Sequence, residues 1–524
     1  MQQAFQGLFS APDPSSLGRL KQALADAGYT RDNVRSALQT DEHLLAKPGE
    51  VVVVERRLEG RAPLPTLIKF FLIGLTVDPS NLVASLPSLP YEQLQRLGLV
   101  EAAQGGVRCP IRLSPHGDIL LASDRSYYKD EDRSDSHVVT GASNPATLLA
   151  DLTVRKRVRR ALDLGTGGGI QALLLANHCD TVIATDVNPR ALDYTRLNAA
   201  LNGFRNIETR LGSWFEPVEG ERFDLVTANP PYVMSPESTF LYRDSGMAAD
   251  SLCRQLVREM PHFLEDGGFG HILISWALAA GQDWSEPLRS WVDGLGCDVW
   301  LLHYLTDDPL TQASKWNRPL ALEGHDRYEA AIDRWMDYYR RSGIDQIAFG
   351  AVIMRRRSTG ETWLRTDSLH AAGGSASGLV SRVFEAEDFL RRVDDEQLLD
   401  ERFSLVAGHR LEQRLVARDG AWQLDTATLM MSDGLGFRGG LDLTTAQLVG
   451  HLDGRHTLRE AVEVTCRELE VDDADRPALT ETAVAMARRL HQLGFVSRGD
   501  ESPNASSRPE RSLAGEEGFE PSTF

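Results

Sequence analysis

The sequence predicts an α/β protein: a seven-stranded core flanked by a mainly helical N-terminal domain and a small α+β C-terminal domain. Three observations predict it. A buried apolar strand runs into a glycine-rich turn at Arg160-Ala-Leu-Asp-Leu-Gly-Thr-Gly-Gly-Gly-Ile170, with a helical stretch, Gln171–Asn177, behind it. A second strand, Thr181-Val-Ile-Ala-Thr185, follows and ends on Asp186, 23 positions after Asp163. Beyond it, strand-length apolar runs alternate with helical stretches as far as Arg355, the order of a largely parallel sheet.

A chain of 524 residues is too long for one ordinary domain and suggests about three. Residues 1–135 read as a separate helical, winged-helix-like substrate-recognition domain. Ser15–Ala27 carries Leu17, Leu20 and Leu24 at helical spacing, and Arg31–Leu38 makes a second helix after Gly28-Tyr29. Leu64–Val77, the longest apolar stretch, contains Lys69 and is too short to span a membrane, so it reads as a core helix. A helix over Tyr91–Leu97 stops at Gly98, and Leu99–Leu113 reads as strand–turn–strand around Gly105-Gly106.

The core domain is placed at 137–357. Its later strands are Asn206–Leu211, Phe223–Ala228, Gly270–Ser275 after a Gly267-Gly268 turn, Asp298–Tyr304 and Gln346–Arg355, with helices at Ser251–Phe263 and Glu286–Gly294. A long, mostly helical insert, Thr306–Ile344, carries Trp316, Trp335, Tyr338 and Tyr339 as core aromatics, and its Pro309–Trp316 part is placed to cover a substrate pocket. The Gly/Ser-rich linker Ala371–Gly378 leads to an α+β, winged-helix-like domain at 379–497. That domain has a strand-like Asp442-Leu443 and helices at Thr457–Leu469 and Ala478–Leu493. The polar, Pro/Ser/Glu-rich tail 498–524 reads as disordered.

A net charge of −19 argues against a broad nucleic-acid-binding surface but leaves room for a local basic site. The densest basic run, Arg155-Lys-Arg-Val-Arg-Arg160, reads as a solvated helix end leading into the first strand. Five scattered cysteines with no Cys-x-x-Cys indicate neither a disulfide framework nor a zinc site. No basic start precedes an apolar core at the N-terminus, so a cytoplasmic protein without a membrane partner is expected.

The chemistry concentrates at Ala228-Asn-Pro-Pro-Tyr-Val233, directly after a hydrophobic strand. An Asn229 side-chain oxygen and the Pro230 carbonyl are each suited to accept one N–H of a planar –NH2 group, and the prolines stop the turn from relaxing. Tyr232 offers a flat face to the conjugated group carrying that nitrogen. At the other motif, glycines 165, 167 and 169 let the backbone approach a ligand, and Asp186 stands near the spacing of a ribose-binding carboxylate. No Lys follows the glycines, which argues against a phosphate-binding P-loop. Asp244, in Tyr242-Arg-Asp-Ser-Gly246, lies near enough in sequence to contact a substrate, though a surface-loop carboxylate is the plainer reading.

At these residues the chain resembles a class I S-adenosylmethionine-dependent methyltransferase. It is most similar to the small-methyltransferase and release-factor glutamine methyltransferase group, whose signature is Asn-Pro-Pro-Tyr. The resemblance covers roughly 137–357 and implies a Rossmann-like methyltransferase core with S-adenosyl-L-methionine as cofactor. It implies that Asp163, Gly165, Thr166 and Gly167 line the methionine end of that cofactor and that Asp186 holds the ribose. Asn229, Pro230 and Tyr232 would hold the substrate nitrogen, with Asn229 also beside the cofactor. Ser213 and Trp214, after the third strand, would lie at the adenine; Ser213 stands where the family usually has an acid, so its backbone N–H is what remains.

The resemblance implies transfer of a methyl group to a planar –NH2 nitrogen. A protein glutamine amide is favoured, and a translation factor is one such protein. The exocyclic amine of adenine in RNA or DNA presents the same chemistry and stays open as the alternative. A third reading is a protein that binds S-adenosylmethionine or RNA without turnover.

Overall fold

The computed structural model describes residues 13–39, 48–60, 63–125, 137–237, 241–244, 246–322, 324–369, 374–418, 420–432 and 434–499. They form two compact units, one within 1–150 and 156–368, the other within 151–155 and 369–524. No described helix is long and apolar enough to cross a membrane.

The first unit opens with helices α1 (Pro14–Asp26), α2 (Arg31–Leu38), α3 (Pro48–Arg57), α4 (Pro63–Leu67), α5 (Pro79–Ser85) and α6 (Tyr91–Arg96). The apolar stretch expected as one helix divides into α4 and a π-helical turn, Ile68–Ile73. Two hairpins follow: β1 (Glu101–Ala103) with β2 (Gly106–Arg108), and β3 (Arg112–His116) with β4 (Ile119–Ser123). Gly106 has to be glycine, because a Cβ would come within 2.2 Å of the Val77 carbonyl oxygen.

After α7 (Asn144–Leu152) come β5 (Val158–Leu164), α8 (Ile170–Leu175), β6 (Cys179–Asp186), α9 (Pro189–Asn202), β7 (Ile207–Leu211) and β8 (Phe223–Ala228). Then follow α10 (Ser251–Glu259), β9 (Leu264–Leu278), α11 (Glu286–Val292), β10 (Cys297–Asp307), α12 (Pro309–Asn317), α13 (His325–Arg341), β11 (Gln346–Arg356) and β12 (Leu364–Ser368). One mixed sheet runs β12-β10-β11-β9-β8-β5-β6-β7, parallel except for β11. All seven expected strands are in it. The eighth, β12, pairs with β10 at the edge; its half-exposed Leu-Arg-Thr-Asp-Ser carries no apolar signal. Two local expectations are corrected. Gly267-Gly268 lies inside β9, where pairing with β8 skips from Leu264 to Phe269, and Gly268 packs against the Phe223 carbonyl. The basic run leads into the first strand as expected, Val158–Arg160 belonging to β5, but it ends no helix, since the preceding helix stops at Leu152.

The chain builds outward from β5 to β6 and β7, then returns to β8 on the other side of β5. Ligands bind at such switch points, outside the carboxyl ends of the strands.

The N-terminal segment, expected as a domain of its own, shares its core with the sheet unit. Leu17, Leu20, Phe70, Phe71, Leu113 and Ala122 are buried in one cluster with Ala191, Tyr194, Leu197 and Leu201 of α9. The seam is polar. Asn202 pairs with both the N–H (2.9 Å) and C=O (2.8 Å) of Leu120, and Asn198 with both those of Ala122 (2.7 and 2.9 Å). Arg190 and Tyr194 bind the Asp124 carboxylate. Four residues of helix rise about 6 Å and two of strand about 6.8 Å, so side chains at every fourth helical position nearly match alternate residues of β4. The helix thus stands in for a neighbouring strand, satisfying backbone groups that burial would otherwise orphan.

In the second unit, α14 (Ser377–Leu390) and α15 (Asp395–Leu399) precede β13 (Arg402–Leu405). A long hairpin, β14 (His409–Arg418) with β15 (Ala421–Met431), follows and continues into β16 (Arg438–Leu441). The remaining elements are α16 (Leu443–Gly450), β17 (Asp453–Thr457), α17 (Leu458–Glu468), α18 (Arg476–Gln492) and β18 (Val496–Arg498). The two expected helices form. Asp442-Leu443 is not a strand: Asp442 caps α16, its side chain accepting from the Thr445 N–H. The tail expected to be disordered lies outside the described residues from 500 onward.

Candidate active site

The glycine-rich turn leaves β5 at Leu164. Gly165 and Gly167 have φ of +69° and +55°, and a Cβ on either would enter open space. Those glycines therefore serve conformation and access, since positive φ is cheap only without a side chain. At Gly169 (φ +86°) a Cβ would meet Thr195 at 3.0 Å, so this glycine serves the close seating of the turn on α9. Thr195 Oγ1 donates to the Gly167 carbonyl at 3.1 Å, and Asn198 Nδ2 to that of Gly168 at 2.8 Å.

Asp163 lies beneath this turn, 2 % exposed. Its Oδ2 accepts from Thr166 Oγ1 (2.6 Å) and the Ala172 N–H (3.1 Å), and its Oδ1 from Thr227 Oγ1 (3.2 Å). Burial raises its pKa to about 6, against those hydrogen bonds. Its oxygens thus serve the protein: they tie β5, the turn, α8 and β8 together. Thr166 shares in this, its N–H bonded to the Thr185 carbonyl.

Asp186 ends β6 beside the turn. Its Oδ2 accepts from the Gly167 N–H at 2.9 Å and its Oδ1 from that of Asn188 at 2.8 Å. Burial raises its pKa while these amides oppose the rise. Beyond β7, Gly212 donates to the Asp186 carbonyl, which brings Ser213 and Trp214 to the same strand end. Ser213 has an acidic neighbour that sequence reasoning missed: its N–H donates to Glu216 Oε2 at 3.3 Å. The Ser-x-x-Glu spacing of a capping box was the available signal. Trp214, at φ +47°, half-buries its ring against the cluster that also receives Tyr232.

Asn229 is the first residue past β8. Because Leu164 and Ala228 are register partners, Gly165 and Asn229 leave adjacent parallel strands at one level. Strands so paired lie about 4.8 Å apart. The half-buried Asn229 side chain takes no hydrogen bond from any other described residue, in contrast to Asp163. Pro230 is buried, and Ser275 Oγ donates to the Tyr232 carbonyl, fixing the turn on β9. The Tyr232 ring meets Phe349 edge-on at 6.2 Å, and burial raises its phenol pKa. Asp244 lies beside the acceptor turn, its backbone bridging Val233, but its side chain is fully buried in a two-pronged pair with Arg243, at 2.7 and 3.0 Å. The expected turn and acid residues thus come together at the carboxyl end of the sheet, while Asp163 lies below it and the Asp244 side chain faces its own ion pair.

A family model described as "Methyltransferase small domain" matches residues 141–279. Two domains of unknown function match 26–110 and 381–498. The chain is 32 % identical over 227 residues to the release factor glutamine methyltransferase of Cereibacter sphaeroides, covering 40 % of this chain and 76 % of that one. It is 46 % identical over 139 residues to the protein of that name in Xylella fastidiosa, covering 23 % and 49 %. It spans about half the length of the first relatives it matches. A solved methyltransferase from Pyrococcus furiosus overlaps 43 % of this chain and 92 % of its own at 16 % identity, with a TM-score of 0.26.

Proposed function

The chain belongs to the class I S-adenosylmethionine-dependent methyltransferases of the release factor glutamine methyltransferase group, and on that premise we propose that it methylates a planar –NH2 nitrogen, the side-chain amide of a protein glutamine. The carrying observation is the register that sets Gly165 beside Asn229, which brings a cofactor turn and an acceptor turn to adjacent strand ends.

The residues present fit the cofactor. The cradle at Gly165 and Gly167 is one that a Cβ would fill, and the Asp186 carboxylate beside it suits the ribose hydroxyls. When bound, S-adenosylmethionine supplies a sulfonium methyl as electrophile. Asp163 and Thr166 set the shape of the turn from below, and Ser213 and Trp214 flank the adenine end. The Asn229 side-chain oxygen and the Pro230 carbonyl accept the two N–H bonds of the acceptor. They thereby push electron density onto a nitrogen whose lone pair is otherwise delocalised and stabilise the charge that develops there. Tyr232 supports the plane of the amide, positioning stands in for a strong base, and one N–H proton of the methylated nitrogen passes to solvent as S-adenosylhomocysteine is released.

The acceptor is read as a polypeptide because of the acidity of the chain and the kinship above, and the reaction as cytoplasmic. The test is transfer of labelled methyl into an extract of cells lacking this protein, with Asn229→Ala as control. Label in the protease-sensitive fraction is expected. Label confined to the nuclease-sensitive fraction makes adenine the acceptor, and bound cofactor without label in either fraction overturns the glutamine reading and leaves a small-molecule acceptor or a binder without turnover.

A further inference from the structure

The acceptor turn is followed by a loop that returns to α10, and the insert between β10 and β11 grips the described parts of that loop. Val233 and Met234, the two residues after Tyr232, are buried with Ala313 of α12 and Trp335 and Tyr339 of α13. Glu237 is a polar hub: its Oε2 accepts from Arg243 at 2.9 Å, and its Oε1 from Arg334 at 3.3 Å and Trp335 Nε1 at 3.4 Å. The Arg243 guanidinium lies over the Trp335 ring, 5.7 Å from its centre. Farther along, Ala249 holds φ at +48°, a conformation unfavourable for a residue with a side chain, and its N–H donates to Tyr338 Oη at 2.9 Å. Asp250 then accepts from the Ala277 N–H of β9 at 3.1 Å.

We propose that α13 is a clamp for the acceptor turn, with Glu237, Trp335 and Tyr338 as positioning residues that fix how the methyl-accepting group is presented. The inference rests on the reading of Asn229–Tyr232 as the acceptor site. The aromatic core alone would secure α13 to the sheet. The hub and the Ala249 bond go further, since both end on the loop and one holds it in a strained state that nothing local favours.

Two variants test it, Glu237→Gln and Tyr338→Phe, each preserving shape. With the protein fraction of the cell extract as graded acceptor, the apparent acceptor KM should rise about tenfold in Glu237→Gln, the scale of one charge-assisted hydrogen bond. Cofactor affinity should stay within about twofold of the parent, a split that general loosening of the fold would not give. Unchanged acceptor KM in both variants overturns the proposal, and so does a parallel loss of cofactor affinity. If the parent transfers no methyl at all, the function reading has failed on its own, and hydrogen exchange decides the clamp. The Ala249 amide should then exchange about tenfold faster in Tyr338→Phe, whereas an unchanged rate overturns it.

Discussion

Around the Gly165 turn the bracing comes from the N-terminal segment through neutral amides: Asn198 joins β4 to the Gly168 carbonyl, with Thr195 beside it. Around Asn229 it comes from the insert, through an aromatic core and a charged hub at Glu237. The first is a hydrogen-bond ladder of fixed geometry, mostly neutral, with one ion pair, Arg190 with Asp124, at its end. The second mixes apolar packing with ion pairs that are only partly buried, and each side carries one side-chain-bearing residue at positive φ, Trp214 on the first and Ala249 on the second. On the proposed function, the first side holds a constant cofactor and the second a larger acceptor, so the side braced by buried amides is the one that need not adjust on binding.

The largest expected effect falls at the boundary between the two. Asn229→Ala should lower methyl transfer roughly 10²-fold or more while leaving cofactor affinity unchanged, as removal of one preorganised polar contact does. Equal loss of both would erase the distinction between the sides. Next, Asn198→Leu strands the N–H and C=O of Ala122 and the Gly168 carbonyl. At about 1 kcal/mol or more for each orphaned group, this should cost about 3 kcal/mol by chemical denaturation. It should also weaken cofactor binding more than acceptor binding, and the opposite order would reverse the comparison. Asp186→Ala should raise the cofactor Kd about tenfold or more by calorimetry, the scale of a charge-assisted contact, with the acceptor KM unmoved.

The smallest effect is read in pH. Asp163 titrates near 6 in the fold, above its ordinary 3.8, so its contribution is complete below 3.8 and is lost as pH rises through 6. Buried His271 of β9, held neutral to about 3 rather than 6.5, runs the other way: its contribution is complete above 6.5 and is lost as pH falls towards 3. Between pH 4 and 6 the two offset. Asp163→Asn keeps the shape, since an amide oxygen serves Thr166 and Ala172 while its N–H2 faces Thr227 Oγ1, which is able to donate to the Leu162 carbonyl instead. The variant should lose stability steadily from pH 6.5 down to 4 where the parent stays nearly level, measured by denaturant midpoints. An identical profile would mean that Asp163 is not raised.

What the sequence made legible follows this division. Strands such as Phe223–Ala228 are continuous apolar runs, and the glycine turn and Asn-Pro-Pro-Tyr are rigid short motifs, so their types and order were readable. The Asn198 ladder was not. It joins helix side chains to the backbone of a strand distant in sequence, and no periodicity in either segment encodes the partner. Helix periodicity even obscured it, because Asn at a buried helical position reads as a weak helix former rather than a structural partner. Glu216 stands three residues beyond the position at which an acid is expected, and β14 has six consecutive exposed residues, leaving no alternation to read.

One consequence of the ladder is evolutionary. Arg190, Tyr194, Asn198 and Asn202 depend on a count of four, and deleting or adding one residue between any two of them rotates the rest of α9 by about 100°. Point changes on the outward side, at exposed Arg196, leave that count intact. Lineages of this protein should therefore vary freely in the letters of that outer face, while the length of α9 stays frozen and gaps in related chains fall on either side of it.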